Sequence, residues 1–355
     1  MCMVSIITSV YNTEEYLKKC FDSVLNQSFK DFEFIIVNNG STDNSSKIIN
    51  EYKEKDLRIK LITNKTNKFL SEARNQALDI ANGKYIYIVD SDDYIEKNTI
   101  KTCVEKAEKY NLDIVVFGWI MEYYIENKIV SYFVKPKEAL YNNRNDLRKN
   151  IFHYLNQSIL TVPWNKLYRK DIIDKNKIRY QNTKLEDHHF NMDYIENINS
   201  CAFINDCFYH YFRSRTTSEL NYIYKFDLFQ KKLEHFKHTK KILELWNIKD
   251  KNIWSLVYTW FAERQIQCIQ EIQANEIFTK KEKKEKIKNI LNNKEAHISC
   301  KMAKPESFMM KFMIFPIKYK LFYLCIMETK FITNYKNKHK AKFVKIRAKK
   351  VNKCE

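Results

Sequence analysis

The run Asp90-Ser91-Asp92-Asp93 puts three carboxylates within four residues, directly behind the apolar stretch Tyr85 to Val89. Unpaired acid at the mouth of a hydrophobic strand is costly unless it is hydrated, protonated or holding a cation. Oxygen ligands of this kind suit Mg2+ or Mn2+, which often bind one or two carboxylates while remaining on substrate phosphates. A plainer reading makes Asp92 and Asp93 turn residues ahead of a helix near Lys97. Arg74 favours the first reading. It falls near the start of a helical segment, where the macrodipole and the guanidinium both suit an anion such as a diphosphate. Tyr11, beyond the apolar run Val4 to Ile7, could stack on a base or pack in a core. Gly40, within Asn38-Asn39-Gly40-Ser41-Thr42-Asp43, permits the tight turn that lets a chain approach a nucleoside. Together these residues describe a nucleotide-diphosphate pocket with a metal.

Such residues need a scaffold, and the first 118 positions alternate two patterns. Val4 to Ile7, Phe32 to Val37, Ile59 to Ile62, Tyr85 to Val89 and Ile114 to Phe117 are short, β-branched or aromatic, and read as strands. Four helices lie between them. Thr13 is expected to cap the first, ahead of the apolar face Leu17, Cys20, Phe21, Val24 and Leu25, and Asp43 the second. Ser71 opens the third, which ends at Asn82-Gly83, read as a C-terminal glycine with positive φ. The fourth runs from about Lys97 to Tyr110. Strands alternating with helices imply a parallel α/β sheet covered on both faces, and ligands of such sheets collect at the carboxyl ends of the strands. Thr8 to Asn12, Asn38 to Asp43 and Asp90 to Asp93 all sit at such ends. From Tyr123 to about Asn150 the pattern blurs, as if crossing to a second layer. Cys207 to Phe212 reads as an aromatic strand, and the signal after Leu220 is helical.

Composition removes several alternatives. The 355 residues include only three glycines, so glycine-dependent dinucleotide and P-loop signatures are missing. The nine cysteines are scattered without a C-x-x-C pair, which indicates neither a disulfide framework nor a zinc site, and a reducing cytoplasm fits best. No secretory n-region precedes Val4, and no stretch has the apolar length of a membrane span. The formal charge of +19 raises nucleic acid, anionic membrane or phosphorylated substrate as partners. It is unevenly placed. Residues 1–100 carry thirteen Lys/Arg against fifteen Asp/Glu, whereas residues 301–355 carry fifteen Lys/Arg against three Glu.

The order VSIITSVYNTEEYLKKCFDSVLNQSFKDFEFIIVNNGSTDNS followed by SEARNQALDIANGKYIYIVDSDDY resembles the family 2 glycosyltransferases of the GT-A fold, over roughly residues 3–118. Weaker likeness continues in Pro163-Trp164-Asn165-Lys166-Leu167-Tyr168, in Leu185-Glu186-Asp187, and in Tyr209-His210-Tyr211-Phe212-Arg213 with Ser218. The resemblance implies a GT-A nucleotide-diphospho-sugar transferase fold, a mostly parallel central sheet flanked by helices, with a helical C-terminal extension. Its implied divisions are a nucleotide-sugar half over 1–118, an acceptor half over 119–220, a helical extension over 221–300 and a basic amphipathic tail over 301–355. Tyr11 and the backbone around Thr8 would hold the pyrimidine. Asn39 stands where the family commonly has an Asp against the base, and its amide oxygen can still accept a uracil N3–H. Arg74 would lie by the ribose or diphosphate, Asp90 and Ser91 by the nucleotide sugar, and Asp92 with Asp90 at the metal. Asp187, beside Glu186, matches the general base, although an acid there also suits a helix start ahead of Phe190.

The implied reaction is inverting transfer of a sugar, from a UDP-sugar by the uracil reading, to a hydroxyl of a growing cell-surface glycan such as capsule, lipooligosaccharide or O-antigen. It would be assisted by Mg2+ or Mn2+. The alternative is a weakened nucleotide-sugar or glycan-binding protein of the same fold. The intact Asp-x-Asp and Glu-Asp pairs favour the enzyme. Among the histidines, His188, His189 and His210 are left outside the metal site. The tail, where Met309 to Ile326 alternates apolar residues with lysines, suits a helix lying on an anionic leaflet or one packed on the protein. No helix-turn-helix, zinc or ribonucleoprotein motif supports nucleic acid. The implied location is cytoplasmic, peripheral at the inner face of the membrane.

Overall fold

The computed structural model describes residues 2–125, 128–155, 158–182, 186–212 and 227–338. Leu185, Arg213, Ser218 and the basic positions after Lys338 lie outside the described residues. The described residues form two units, one lying within 2–148 and 158–212, the other comprising 149–155 with the helices from Leu228 onward.

The first unit is built on a ten-stranded sheet whose main path runs β3-β2-β1-β4-β9-β6-β10-β5. Its strands are β1 (Val4–Val10), β2 (Phe32–Asn38), β3 (Ile59–Thr63), β4 (Tyr85–Ile88), β5 (Tyr94–Ile95), β6 (Ile114–Ile125), β7 (Lys128–Val134), β8 (Ala139–Tyr141), β9 (Lys166–Arg169) and β10 (Cys201–Phe212). Pairing of β1 with β2 and β4, and of β2 with β3, is parallel, as helical crossovers require. Beyond β4 the sheet becomes mixed. β9 enters antiparallel to both β4 and β6, and β10 then lies parallel to β6. All seven residues of β2 are buried; five are apolar, as a strand covered on both faces needs, and the buried Glu33 accepts from the Ser5 hydroxyl.

The crossovers are α1 (Glu14–Leu25), α2 (Ser45–Lys55), α3 (Leu70–Ile80) and α4 (Thr99–Tyr110). In α1, Leu17, Cys20, Phe21 and Val24 are buried at helical spacing against the sheet. Two capping expectations change. Thr13 occupies the N-cap position of α1 but makes no cap bond, its hydroxyl donating instead to Ser91 Oγ at 3.1 Å. Asp43 serves both helices, one oxygen accepting from the Ser45 amide at 3.0 Å and the other from the Glu14 amide at 3.1 Å. Glu14 reciprocates by accepting from the Asn44 amide at 2.7 Å.

Gly83 does not take the positive φ expected of it, and α3 ends three residues earlier, at Ile80. Glycine is needed there for contact. A Cβ would stand 2.4 Å from the Ser5 nitrogen, whose hydroxyl accepts the Gly83 N–H at 2.8 Å. Gly40, by contrast, is left-handed at φ +75°, and its turn follows β2 as expected.

β6, β7 and β8 keep the chain in the sheet through Tyr141, and it enters the second unit only at Lys149. β6 runs on to Ile125 and returns as β7, paired from Trp119↔Val134 to Ile125↔Lys128. A buried polar residue blurred the period. Glu122 is 6% exposed, where the Tyr94 hydroxyl donates to it at 2.9 Å and His210 Nδ1 lies at 2.9 Å. Two short helices, α5 (Arg144–Asn150) and α6 (Lys170–Lys175), precede α7 (Asp187–Asn197), whose Phe190, Met192, Tyr194 and Ile195 are buried.

The second unit is helical. It comprises α8 (Leu228–Leu245), α9 (Lys251–Ala274), α10 (Lys280–Asn292), α11 (Lys294–Met302), α12 (Phe308–Lys318) and α13 (Phe322–Lys338). The long α9 packs on α8 and on α10 through α13, burying Val257, Phe261, Ala262 and Ile269. A capping box closes the start of α10, with Thr279 and Glu282 satisfying each other's backbone. Among the described residues, no helix is long and apolar enough to cross a membrane.

Candidate active site

The register fixes where the polar loops emerge. Val10 pairs with Asn38, Asn38 with Thr63, and Ile7 with Ile88, so the chain leaves β1, β2, β3 and β4 at one carboxyl edge of the sheet. Because β9 is antiparallel to β4, its amino end, with the preceding Trp164-Asn165, reaches that same edge. Lys166 secures this approach. Fully buried, its ammonium donates to Ile159 O at 2.7 Å and Asn165 Oδ1 at 2.6 Å.

Arg74 is the centre of the site. It projects from α3, is 3% exposed, and its guanidinium pairs with Asp90 Oδ1 at 2.9 Å, Glu186 Oε1 at 3.3 Å and Asp187 Oδ1 at 2.5 Å. The Tyr180 ring lies 5.1 Å from its central carbon and is itself stacked on Phe190 at 4.1 Å. One buried cation thus joins the acid after β4 to the two acids that start α7. The planar fork suits this, since a guanidinium can serve several carboxylates at fixed angles.

The acids differ in their surroundings. Asp187 has a side chain 35% exposed. Crowding by protein pushes its carboxyl above the usual range; Arg74 opposes this and the charge of Asp90 adds to it. Asp93 is turned inward, 2% exposed, accepting from the Tyr209 hydroxyl at 2.6 Å and the Phe212 amide at 3.0 Å. Burial, then the charges of Asp92 and Asp90, raise it well above the normal carboxylate range. Asp93 is therefore a structural acid. Asp90, which pairs with Arg74, and Asp92 are the other two carboxylates of the loop. Among the described residues no three His, Cys, Asp or Glu side chains are grouped around a metal position. Two carboxylates completed by phosphate oxygens nevertheless suit Mg2+ or Mn2+, so the residues fit such an ion.

The other predicted residues line the same edge. Thr8 and Ser91 are buried, and the Thr8 hydroxyl has no hydrogen-bond partner among the described residues. Tyr11 is 36% exposed just past β1. Asn39 is 3% exposed and already saturated. Its amide nitrogen donates to Asn67 Oδ1 at 3.0 Å and Lys68 O at 2.8 Å, while its oxygen accepts from Asn64 Nδ2 at 3.0 Å and the Lys68 amide at 3.2 Å. The oxygen expected to meet a base N–H is therefore shared by two donors of the 64–68 loop. His210 stays apart from the acids around Arg74, between Glu96 at 2.8 Å and Glu122 at 2.9 Å.

Three residues of this neighbourhood carried no individual signal. Tyr180 supports Arg74. Tyr209 bridges the acidic loop, accepting from the Asp90 amide at 3.2 Å while donating to Asp93. Trp164 stacks on Tyr209 with centroids 4.2 Å apart. The aromatic character of Cys207 to Phe212 pointed to a strand, and pairing of β10 with β5 is what sets Tyr209 behind the acids.

A sheet with this strand order and acids beyond β4 defines the GT-A glycosyltransferase fold. The chain superposes on S. aureus TarS 1-349 in complex with UDP-GlcNAc with a TM-score of 0.60, at 18% identity, over 92% of this chain and 90% of that one. Residues 5–176 match the family described as Glycosyl transferase family 2. It is 34% identical to glycosyltransferase GlyA of Streptococcus pneumoniae over 215 residues, which is 59% of this chain and 30% of GlyA. With the cholesterol galactosyltransferase of Borreliella burgdorferi it shares 28% identity over 306 residues, 76% of this chain and 83% of that one. The chain thus matches less than a third of GlyA but most of the Borreliella protein.

Proposed function

We propose that the protein is an inverting glycosyltransferase that moves a sugar from a UDP-sugar to a hydroxyl of a cell-surface glycan. The observation that carries this reading is the pairing of Arg74 with Asp90 on one side and Glu186 and Asp187 on the other. It sets a donor-side acid and a candidate base on one rigid support. UDP-GlcNAc is the ligand named for the TarS structure, which supports a uridine donor. Capsule, lipooligosaccharide and O-antigen are the acceptor classes, reached from the cytoplasmic side of the membrane.

In this mechanism Tyr11 stacks on the base, and the Thr8 region and Ser91 enclose the nucleoside. Asn39 accepts the uracil N3–H once a donor of the 64–68 loop gives way. Asp92 and Asp90 would hold Mg2+ or Mn2+, which when bound offsets the charge that develops on the leaving diphosphate. Asp187 takes the acceptor hydroxyl's proton as that oxygen forms its bond to the anomeric carbon. The bond from that carbon to the diphosphate breaks in the same displacement, and the configuration inverts. The raised Asp187 pKa makes its carboxylate a better proton acceptor. Glu186 and Arg74 fix its orientation.

The test is a screen of nucleotide sugars read by nucleotide release, followed by Asp187→Asn in the active combination. The wild type should release UDP. The variant should lose about 10²- to 10⁴-fold in kcat while still binding UDP. Near-normal turnover by Asp187→Asn removes that residue from the base role, and preference for GDP-sugars overturns the uracil reading.

A further inference from the structure

Helices α12 and α13 bury one set of apolar residues and expose another. Met313, Ile314, Pro316 and Ile317 of α12, and Cys325 of α13, face the helical unit. On the outer side, Phe308 is 83% exposed, Phe312 50% and Phe315 47%; on α13, Tyr323 is 79% exposed, Met327 64% and Phe331 71%. The spacings are four and three residues on α12 and four and four on α13, so each set forms a single stripe along its helix. The two helices pack on each other. Ordinary amphipathic packing turns the large apolar residues inward; here aromatic side chains point to water. Exposed apolar surface of this extent marks an interaction site.

Charge selects the occupant. Lys311, Lys320 and Lys330 are exposed on the same two helices or at the turn between them. Residues 301–355 as a whole carry fifteen Lys/Arg against three Glu. Protein interfaces are depleted in lysine, and a two-fold contact between copies would set this basic surface against itself. Aromatic rings flanked by lysines instead suit the boundary between acyl chains and anionic headgroups. We infer that the outer face of α12 and α13 docks the protein on an anionic lipid surface, with the rings at the headgroup level and the helices parallel to the membrane.

The test uses full-length protein and cosedimentation with vesicles of phosphatidylcholine alone or mixed with phosphatidylglycerol. The protein should pellet with the anionic vesicles, far less with the neutral ones, and less as salt rises. A combined Phe308→Ser, Phe312→Ser, Tyr323→Ser, Phe331→Ser variant should bind anionic vesicles about tenfold or more weakly at an unchanged melting temperature. Lys311→Glu with Lys320→Glu and Lys330→Glu should abolish the preference for anionic lipid. Binding of the aromatic variant equal to wild type overturns the inference. So does a protein that ignores both vesicles and sediments as a dimer that the aromatic variant dissociates, because a second copy then covers this face.

Discussion

Arg74, expected beside a diphosphate, meets three carboxylates of the protein itself, partners that were not legible in the sequence. Its place near the start of α3 pointed to a negative ligand, and three carboxylates meet it there. Two of them lie more than a hundred residues away, a distance that neither propensity nor periodicity spans. Arg74→Lys keeps the charge but loses the fork, so it should lower kcat about 10²-fold with a smaller change in donor KM. Arg74→Met removes the charge shared by Glu186, which is buried, and by Asp90 and Asp187, which are about a third exposed, and should cost about 1–3 kcal/mol in stability, measured by denaturant unfolding. Equal kcat for wild type and Arg74→Lys would show that the fork does not position the base. Asn39 shows the same limit. The residue type announced a departure from Asp, but only the fold shows that the 64–68 loop saturates its amide.

At the scale of elements, strands β1 to β4 and their helices were readable because the strands are short and rich in β-branched and aromatic residues and alternate with helical patterns. What could not be read was β9 inserted antiparallel, and the hairpin of β6 and β7, where Glu122 interrupts the pattern. The interruption has a purpose in the pairing of β5 with β10. His210 stacks on Tyr94 at 4.1 Å between Glu122 and Glu96. Burial would lower its pKa, but hydrogen bonds to Glu122 and Glu96 raise it overall. A histidine whose folded pKa is raised stabilises fully below its unfolded value of about 6.5, and that contribution is lost as pH climbs through the folded value. The melting temperature should therefore fall as pH rises above about 6.5, and His210→Gln should flatten that slope. An unchanged slope in the variant would assign the pH dependence elsewhere.

For the whole molecule, the division into two units separates the tasks. The acids, Arg74 and Tyr11 all belong to the sheet unit, and the exposed aromatic face belongs to the helical one. UDP at a hundredfold its dissociation constant should stabilise the folded protein by about 2.7 kcal/mol. Amide hydrogen exchange should slow in β1, β2 and β4 and stay unchanged in α8 to α13. Slowing confined to the helical unit would mean that the nucleotide binds elsewhere. Charge asymmetry was visible in the sequence, and the fold adds that the basic segment begins on helices with an aromatic outer surface.

The contacts of Arg74 bear finally on what counts as a unit of inheritance here. The stretch matching the family pattern ends at residue 176, before Glu186, Asp187 and the whole of β10. A polypeptide cut to that stretch would keep a buried guanidinium with Asp90 alone, and β6 would lose the neighbour that joins it to β5. The matched segment therefore leaves out two of the three carboxylates that meet Arg74 and the strand between β6 and β5. A recombination that keeps these contacts carries the chain through Phe212 or supplies an equivalent acid-bearing helix and strand.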